Sequence, residues 1–197
     1  QDGEKVEVLA VPESKLCYTP LYNQPSKLQY NGNVEVCELV EFGELVQVKG
    51  VDNKVGDCIH HFMQLYGADM EKNRTLLAKL ADSYNVAVDS DKCISNAEAF
   101  FHKMEQLYGS GEALRETPFT FVTMEGQIVN GEIDLVWSTA EGDVIVDYKS
   151  FPGSISDLLD KDSSHWAGKY AGQLDAYRNA LKQSGRNVKA MCICYIS

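Results

Sequence analysis

Asp134, Asp147 and Lys149 are the residues of this chain whose types and spacing point most directly to chemistry. They lie in GEIDLVWSTAEGDVIVDYK, residues 131–149, where β-branched and aromatic runs flank the turn-like Thr139-Ala140-Glu141-Gly142. That pattern predicts a hairpin. With the turn centred between Ala140 and Glu141, Asp134 and Asp147 become direct cross-strand neighbours, with Cβ atoms roughly 5 Å apart. Two carboxylates so placed repel each other unless something positive lies between them, and a hard divalent cation with oxygen ligands meets that need. Side chains repeat every second residue along a strand, so Lys149 points to the same face as Asp147 and the two acids and the amine converge. Val144, Ile145 and Val146 make the second strand apolar on both faces. This favours a buried strand over a surface hairpin with ordinary charges.

Other elements must hold this hairpin in place. Apolar periodicity predicts helices over 55–66, 72–83 and 95–108, the last opened by Ser95 with Glu98 three residues on, a capping-box pattern. A three-strand meander over 119–148 follows, with a two-residue turn at Glu125-Gly126. Then come a polar loop over 150–169, a long helix ending near Gly185, and a terminal strand in VKAMCICYIS. That order gives an α/β domain. Residues 1–50 read as a connector packed on the core, with one or two strands in NVEVCELVEFGELVQVKG, and 51–197 as the main domain. The two-residue turn would set Glu116 opposite Leu135, one residue out of step with Asp134 and facing away from it, unless a bulge near Gly131 corrects the register.

Five short motifs in order resemble the PD-(D/E)xK nucleases of the RecB and AddA helicase-nuclease type: Gly56-Asp57-Cys58-Ile59-His60, Arg115-Glu116-Thr117-Pro118-Phe119, Gly131-Glu132-Ile133-Asp134-Leu135, Asp147-Tyr148-Lys149-Ser150, and the run from Tyr170 through Gln173 and Leu174 to Tyr177. The resemblance covers roughly residues 55–177. It implies a restriction-endonuclease-like core, a mixed central sheet flanked by helices, and cleavage of DNA with bound Mg²⁺ or Mn²⁺. It further implies Asp134, Asp147 and the backbone carbonyl of Tyr148 as metal ligands, with His60 completing the shell. Lys149 would orient the attacking water or stabilise charge on the phosphate. Gln173 and Tyr177 would lie beside the site or the strand, and Glu116 joins the catalytic candidates as its least secure member.

On pattern alone, His60 and His61 both fall off the apolar stripe of Ile59, Phe62, Met63 and Tyr66, so a surface histidine is the plainer reading of His60. Tyr177, near Leu174 and Leu181, suits packing as well as function. Gln173 is a polar group on a core-facing helix and needs a partner. Tyr170, Gln173 and Tyr177 share one helix face.

Composition sets the limits. A chain of 197 residues, 44% hydrophobic and 24% charged, suits one compact domain. No apolar run approaches membrane-spanning length and no basic-then-apolar leader opens the chain, which reads as soluble and cytoplasmic. It starts at Gln1 rather than methionine and reads as part of a longer protein. Cys17, Cys37, Cys58, Cys93, Cys192 and Cys194 show no C-x-x-C pairing, so they read as reduced core residues, and no iron-sulfur cluster is expected. A net charge of -11 and a pI of about 4.8 are the reverse of a DNA-binding footprint. The resemblance nevertheless implies DNA, as a single strand or duplex end, as the partner, and a helicase portion of the same polypeptide and a second subunit that would hold the strand for it despite the acidic balance. The contrasting reading is a nuclease-like fold kept as a silent DNA-binding or docking module.

Overall fold

A computed structural model describes residues 22–28, 38–43, 46–151 and 153–196. Its strands are β1 (Tyr22–Asn23), β2 (Glu38–Glu41), β3 (Gln47–Lys49), β4 (Ala87–Val88), β5 (Gly111–Val122), β6 (Ile128–Thr139), β7 (Gly142–Ser150) and β8 (Val188–Ile196). Its helices are α1 (Asp52–Leu65), α2 (Met70–Tyr84), α3 (Ser90–Tyr108), α4 (Ile155–Leu159) and α5 (Ala171–Gln183). The order β1-β6-β7-β8-β2, with β5 on the other edge of β6, makes a six-stranded sheet. β5–β6 and β6–β7 are antiparallel, while β7–β8, β8–β2 and β1–β6 are parallel.

The mixed sheet carries one core on each face. Ile59 and Phe62 of α1 and Phe100 of α3 pack with Leu135, Val146 and Tyr148 on one side. Leu174, Tyr177 and Leu181 of α5 pack with Ile133, Ile145 and Ile193 on the other. Burial on both faces explains why the middle of β7, Val144-Ile145-Val146, is an unbroken apolar run, with Asp147 directly after it. Helices on both sides of a mixed sheet are the architecture expected from the sequence.

Several local expectations change. α3 begins at Ser90, capped by Asp89, whose side chain accepts from the Lys92 N–H, so Ser95 lies inside the helix and opens nothing. Residues 150–169 are not a continuous loop, since they hold α4 with a capping box between Ser154 and Asp157. The β5–β6 connection runs over 123–127 rather than two residues. That shift places Thr117 opposite Ile133 and Arg115 opposite Leu135, so Glu116 stands opposite Asp134 after all, with no bulge at Gly131, which pairs with Phe119 in register. The strands expected before residue 50 are β2 and β3, and β2 is built into the main sheet. Cys17 and Cys37 lie outside the described residues, whereas Cys58, Cys93, Cys192 and Cys194 are buried and unbridged.

One end of the sheet is fastened by a half-exposed arginine on a buried carboxylate, a pair that the sequence did not announce. Arg186 Nε donates to Asp143 Oδ2 at 2.6 Å and its Nη2 to Oδ1 at 2.8 Å, with Asp143 only 4% exposed. Arg186→Ala strands that carboxylate without a partner and is expected to cost about 3 kcal/mol. Urea unfolding checks this, and a loss below about 1 kcal/mol would show the pair to be dispensable.

Candidate active site

The hairpin β6–β7 is paired from Thr139↔Gly142 to Leu135↔Val146. One further step would set Asp134 opposite Asp147. There the ladder gives way, and Asp134 Oδ2 accepts the Tyr148 N–H at 2.7 Å instead. On the same edge of β6, β1 pairs only at Ile128 and Val129, so residues 130–134 have no strand partner on that side among the described residues. Asp134 thus sits where the two strands part.

A change of face occurs at the same place. In β6, Ile133 and Val136 both belong to the α5-side core while Leu135 belongs to the other, so the alternation slips by one residue around Asp134. β5 slips with it between Leu114 and Phe119, and Glu116 there holds the left-handed conformation with φ 47°. A non-glycine residue pays about 1–3 kcal/mol for that backbone, a strain typical of segments that aim functional side chains.

Asp147 is fully buried on the α5 side, between two polar partners. Its Oδ1 accepts from Gln173 Nε2 at 3.1 Å. Its Oδ2 lies 2.6 Å from Lys149 Nζ, a close charge contact, but no donor is well aimed at that oxygen. Lys149 Nζ also donates to Gln173 Oε1 at 3.3 Å and stands 4.6 Å above the centre of the Tyr170 ring. Gln173 Nε2 donates in addition to the Tyr177 hydroxyl at 2.5 Å, so one amide joins acid, amine and phenol. Tyr177 is otherwise packed edge-on against Phe119. Tyr177 therefore packs in the core and also touches Gln173.

His60 reaches the site from α1, its ring edge-on to Tyr148 at 5.4 Å. α1 lies tightly on the end of β7 here: a Cβ on Gly56 would fall 1.9 Å from Ser150 Oγ, so glycine permits the approach. His61 instead stacks on Tyr84.

The electrostatics follow from burial. Burial pushes Asp134 and Asp147 up to about 6, only partly offset by the Tyr148 N–H for Asp134 and by Lys149 for Asp147. Glu116 is also raised, first by burial and then by Glu132 beside it. Burial lowers His60 to about 4 against the pull of Asp147, which leaves a neutral imidazole with a free lone pair. Burial would lower Lys149 too, but Asp147 outweighs it and the amine ends above its ordinary value. Lys149 is therefore a charged donor at neutral pH and not a base.

The donor chemistry suits a hard cation: one fully buried and one half-buried carboxylate, both raised by burial, an oxygen of Asp147 without an aimed donor, and a neutral imidazole nearby. Among the described residues, no three His, Cys, Asp or Glu side chains converge into a finished cage. Water and substrate oxygens would have to complete the shell, as is usual for Mg²⁺.

A family model for the PD-(D/E)XK nuclease superfamily matches residues 35–196. The chain belongs to this superfamily. Its members are typically nucleases that use divalent metal ions, which agrees with the fold and with the acids gathered at the strand parting. No curated protein matches the chain. No helix among the described residues is long and apolar enough to cross a membrane.

The structure brings Asp134, Asp147, Tyr148, Lys149, Gln173 and Tyr177 together, sets His60 against Tyr148, and turns Glu116 opposite Asp134. It also adds Tyr170, whose ring lies under the Lys149 ammonium. The sequence placed Tyr170 on the face of Gln173 but offered no reason to nominate it. Its position at the start of α5, where a 3₁₀ turn over Ala167–Tyr170 leads into the helix, is not encoded by helical spacing.

Proposed function

We propose that this chain is the nuclease domain of a RecB/AddA-type helicase-nuclease, an exodeoxyribonuclease that works in DNA end processing, recombination and repair. The observation that carries the reading is the gathering of Asp134, Asp147 and Lys149 where β6 and β7 part, tied by Gln173. In hydrolysis a water oxygen bonds to phosphorus and gives its proton to solvent, while the P–O bond to the leaving nucleotide breaks and the leaving oxygen takes a proton from solvent, so that charge and protons balance. Asp134, Asp147 and the Tyr148 carbonyl, with His60 at the margin, would hold Mg²⁺ or Mn²⁺, which supplies Lewis-acid polarisation of the phosphoryl group. Lys149 offers its N–H bonds to the water or to a phosphate oxygen as negative charge builds. Gln173 fixes both Lys149 and Asp147, and the rigid strands beneath keep the geometry. The low intrinsic affinity for DNA expected of a chain with net charge -11 suits a module fed by a helicase of the same polypeptide and a partner subunit.

Cation binding and pH are linked here. Without a cation, Asp134 and Asp147 have folded pKa values near 6 against 3.8, so the stability they contribute is present at low pH and is lost as pH rises through about 6. His60, lowered from 6.5 to about 4, works in the opposite sense between those values, one group against two. A divalent cation needs the deprotonated acids, so it stabilises the fold above pH 6 and loses its hold near pH 5. At a hundredfold excess over Kd, Mg²⁺ or Mn²⁺ is expected to raise Tm by about 5–10 °C at pH 7.5 and hardly at all at pH 5. Thermal melts with the cation or EDTA read this, alongside degradation of end-labelled DNA. A pH-independent shift, or one that persists in Asp147→Asn, would place the cation elsewhere.

A further inference from the structure

On the α1–α3 side of the sheet, away from the carboxylates, lies a cavity of about 510 Å³ lined by Tyr66, Glu98, Phe101, Arg115 and Trp137 among others. Arg115 is half-buried there, with its guanidinium 5.1 Å from the centre of the Phe101 ring. Its Nε is buried without a hydrogen-bond partner, and among the described residues Arg115 makes no ion pair. In a chain with 29 acidic and 18 basic residues, a structural arginine would find a carboxylate easily. The Arg115 Nε is shut away from water without a partner while the side chain lines the cavity, an arrangement that suits an anion arriving from outside.

The walls suggest what carries that anion. Tyr66 and Phe101 are stacked, with centroids 5.5 Å apart at 12°, and Trp137 follows at 6.3 Å from Phe101. An aromatic shelf beside a free guanidinium is the chemistry that holds a nucleotide: ring faces stack on the base and arginine takes the phosphate. Glu98 offers an acceptor to a base amino group. The cavity is also reachable from the carboxylates. Among the described residues β5 pairs with β6 alone and forms that edge of the sheet. Along it, Glu116 stands opposite Asp134 while its neighbour Arg115, opposite Leu135, lines the cavity on the other face. A strand lying over Asp134 need only cross this edge.

We propose that the cavity takes an unpaired nucleotide of the strand being cut, with the phosphate on Arg115 and the base against the aromatic shelf at Tyr66; this rests on the nuclease reading above. The test is a binding titration of the whole chain in EDTA at low salt, so that no cleavage is needed. With Trp166→Phe as background, Trp137 is the remaining one of the two tryptophans, and its fluorescence is followed against oligo(dC) and free dCMP. The expected result is saturable quenching by oligo(dC) and weaker binding of dCMP. In Arg115→Ala, affinity for the oligonucleotide falls about tenfold and its salt slope shrinks by about 1.

The proposal is overturned by Trp137 unquenched when anisotropy shows the oligonucleotide bound, by equal affinity for dCMP and the strand, or by an Arg115→Ala protein that binds like its parent. If Arg115→Ala does not fold, quenching in the parent protein and the weaker binding expected of Arg115→Lys decide the matter. A chain that quenches yet cuts no DNA under any cation keeps the cavity and loses the nuclease reading. One that cuts DNA without quenching does the reverse.

Discussion

Asp147→Asn is expected to lower cation-dependent DNA cleavage by about 10³-fold or more, because several kcal/mol of charge stabilisation at the phosphate go with the carboxylate. Asparagine keeps the shape of a fully buried side chain, so the loss is chemical rather than steric. The amide cannot accept from Gln173 Nε2 with one oxygen and face the Lys149 ammonium with another as the carboxylate does, since it is uncharged and has a single oxygen. The ammonium keeps Gln173 Oε1 and the Tyr170 ring, and folding survives. Initial rates on labelled DNA, with circular dichroism to confirm the fold, decide it. A folded variant within tenfold of the parent would remove Asp147 from the reaction.

Lys149→Ala separates catalysis from cation binding. The variant loses the donor that meets charge on the phosphate, and cleavage is expected to fall by about 10²–10³-fold. Its cation-induced rise in Tm survives or grows, because the ammonium no longer competes at Asp147 Oδ2, 2.6 Å away. Asp147→Asn loses both signals and Lys149→Ala only one, a contrast that a merely structural ion pair would not produce. Lys149→Arg is expected to rescue little. A planar fork does not fit a slot made for a point charge between Gln173 and Tyr170, with the lysine side chain only 18% exposed. Full cleavage by Lys149→Ala would leave the amine a bystander.

The parts of this site that were legible in the sequence are those whose geometry is set locally. The β6–β7 turn is tight, so counting outward from it brings Asp134 and Asp147 to the same level, and alternation then carries Lys149 to the face of Asp147. Where the count depended on a longer connection, it failed. Taking two residues for the turn after β5, when the connection spans 123–127, moved Glu116 by one position, and in a sheet one position is the difference between facing a partner and facing away. The left-handed backbone at Glu116 had no signal at all, since no glycine or asparagine stands there. Ser95 misled for a related reason: a serine three residues before a glutamate can sit anywhere in a helix, and Asp89 had already capped this one. Arg186–Asp143 and the cavity at Arg115 join residues from elements far apart in the chain, and no periodicity reports such meetings.

The acidic balance of the chain and the nuclease site are compatible because they act at different ranges. Long-range charge governs how often DNA arrives, whereas the cation, Lys149 and the two acids act within contact distance.

The most direct measurement is degradation of end-labelled linear single- and double-stranded DNA by the purified chain at low salt, with Mg²⁺, Mn²⁺ or EDTA, beside Asp147→Asn and Lys149→Ala. Cleavage that requires the cation and disappears in both variants is the predicted result. Cleavage that persists in either folded variant, or a chain that binds the cation at Asp134 and Asp147 and still cuts neither DNA at high enzyme and low salt, would contradict it.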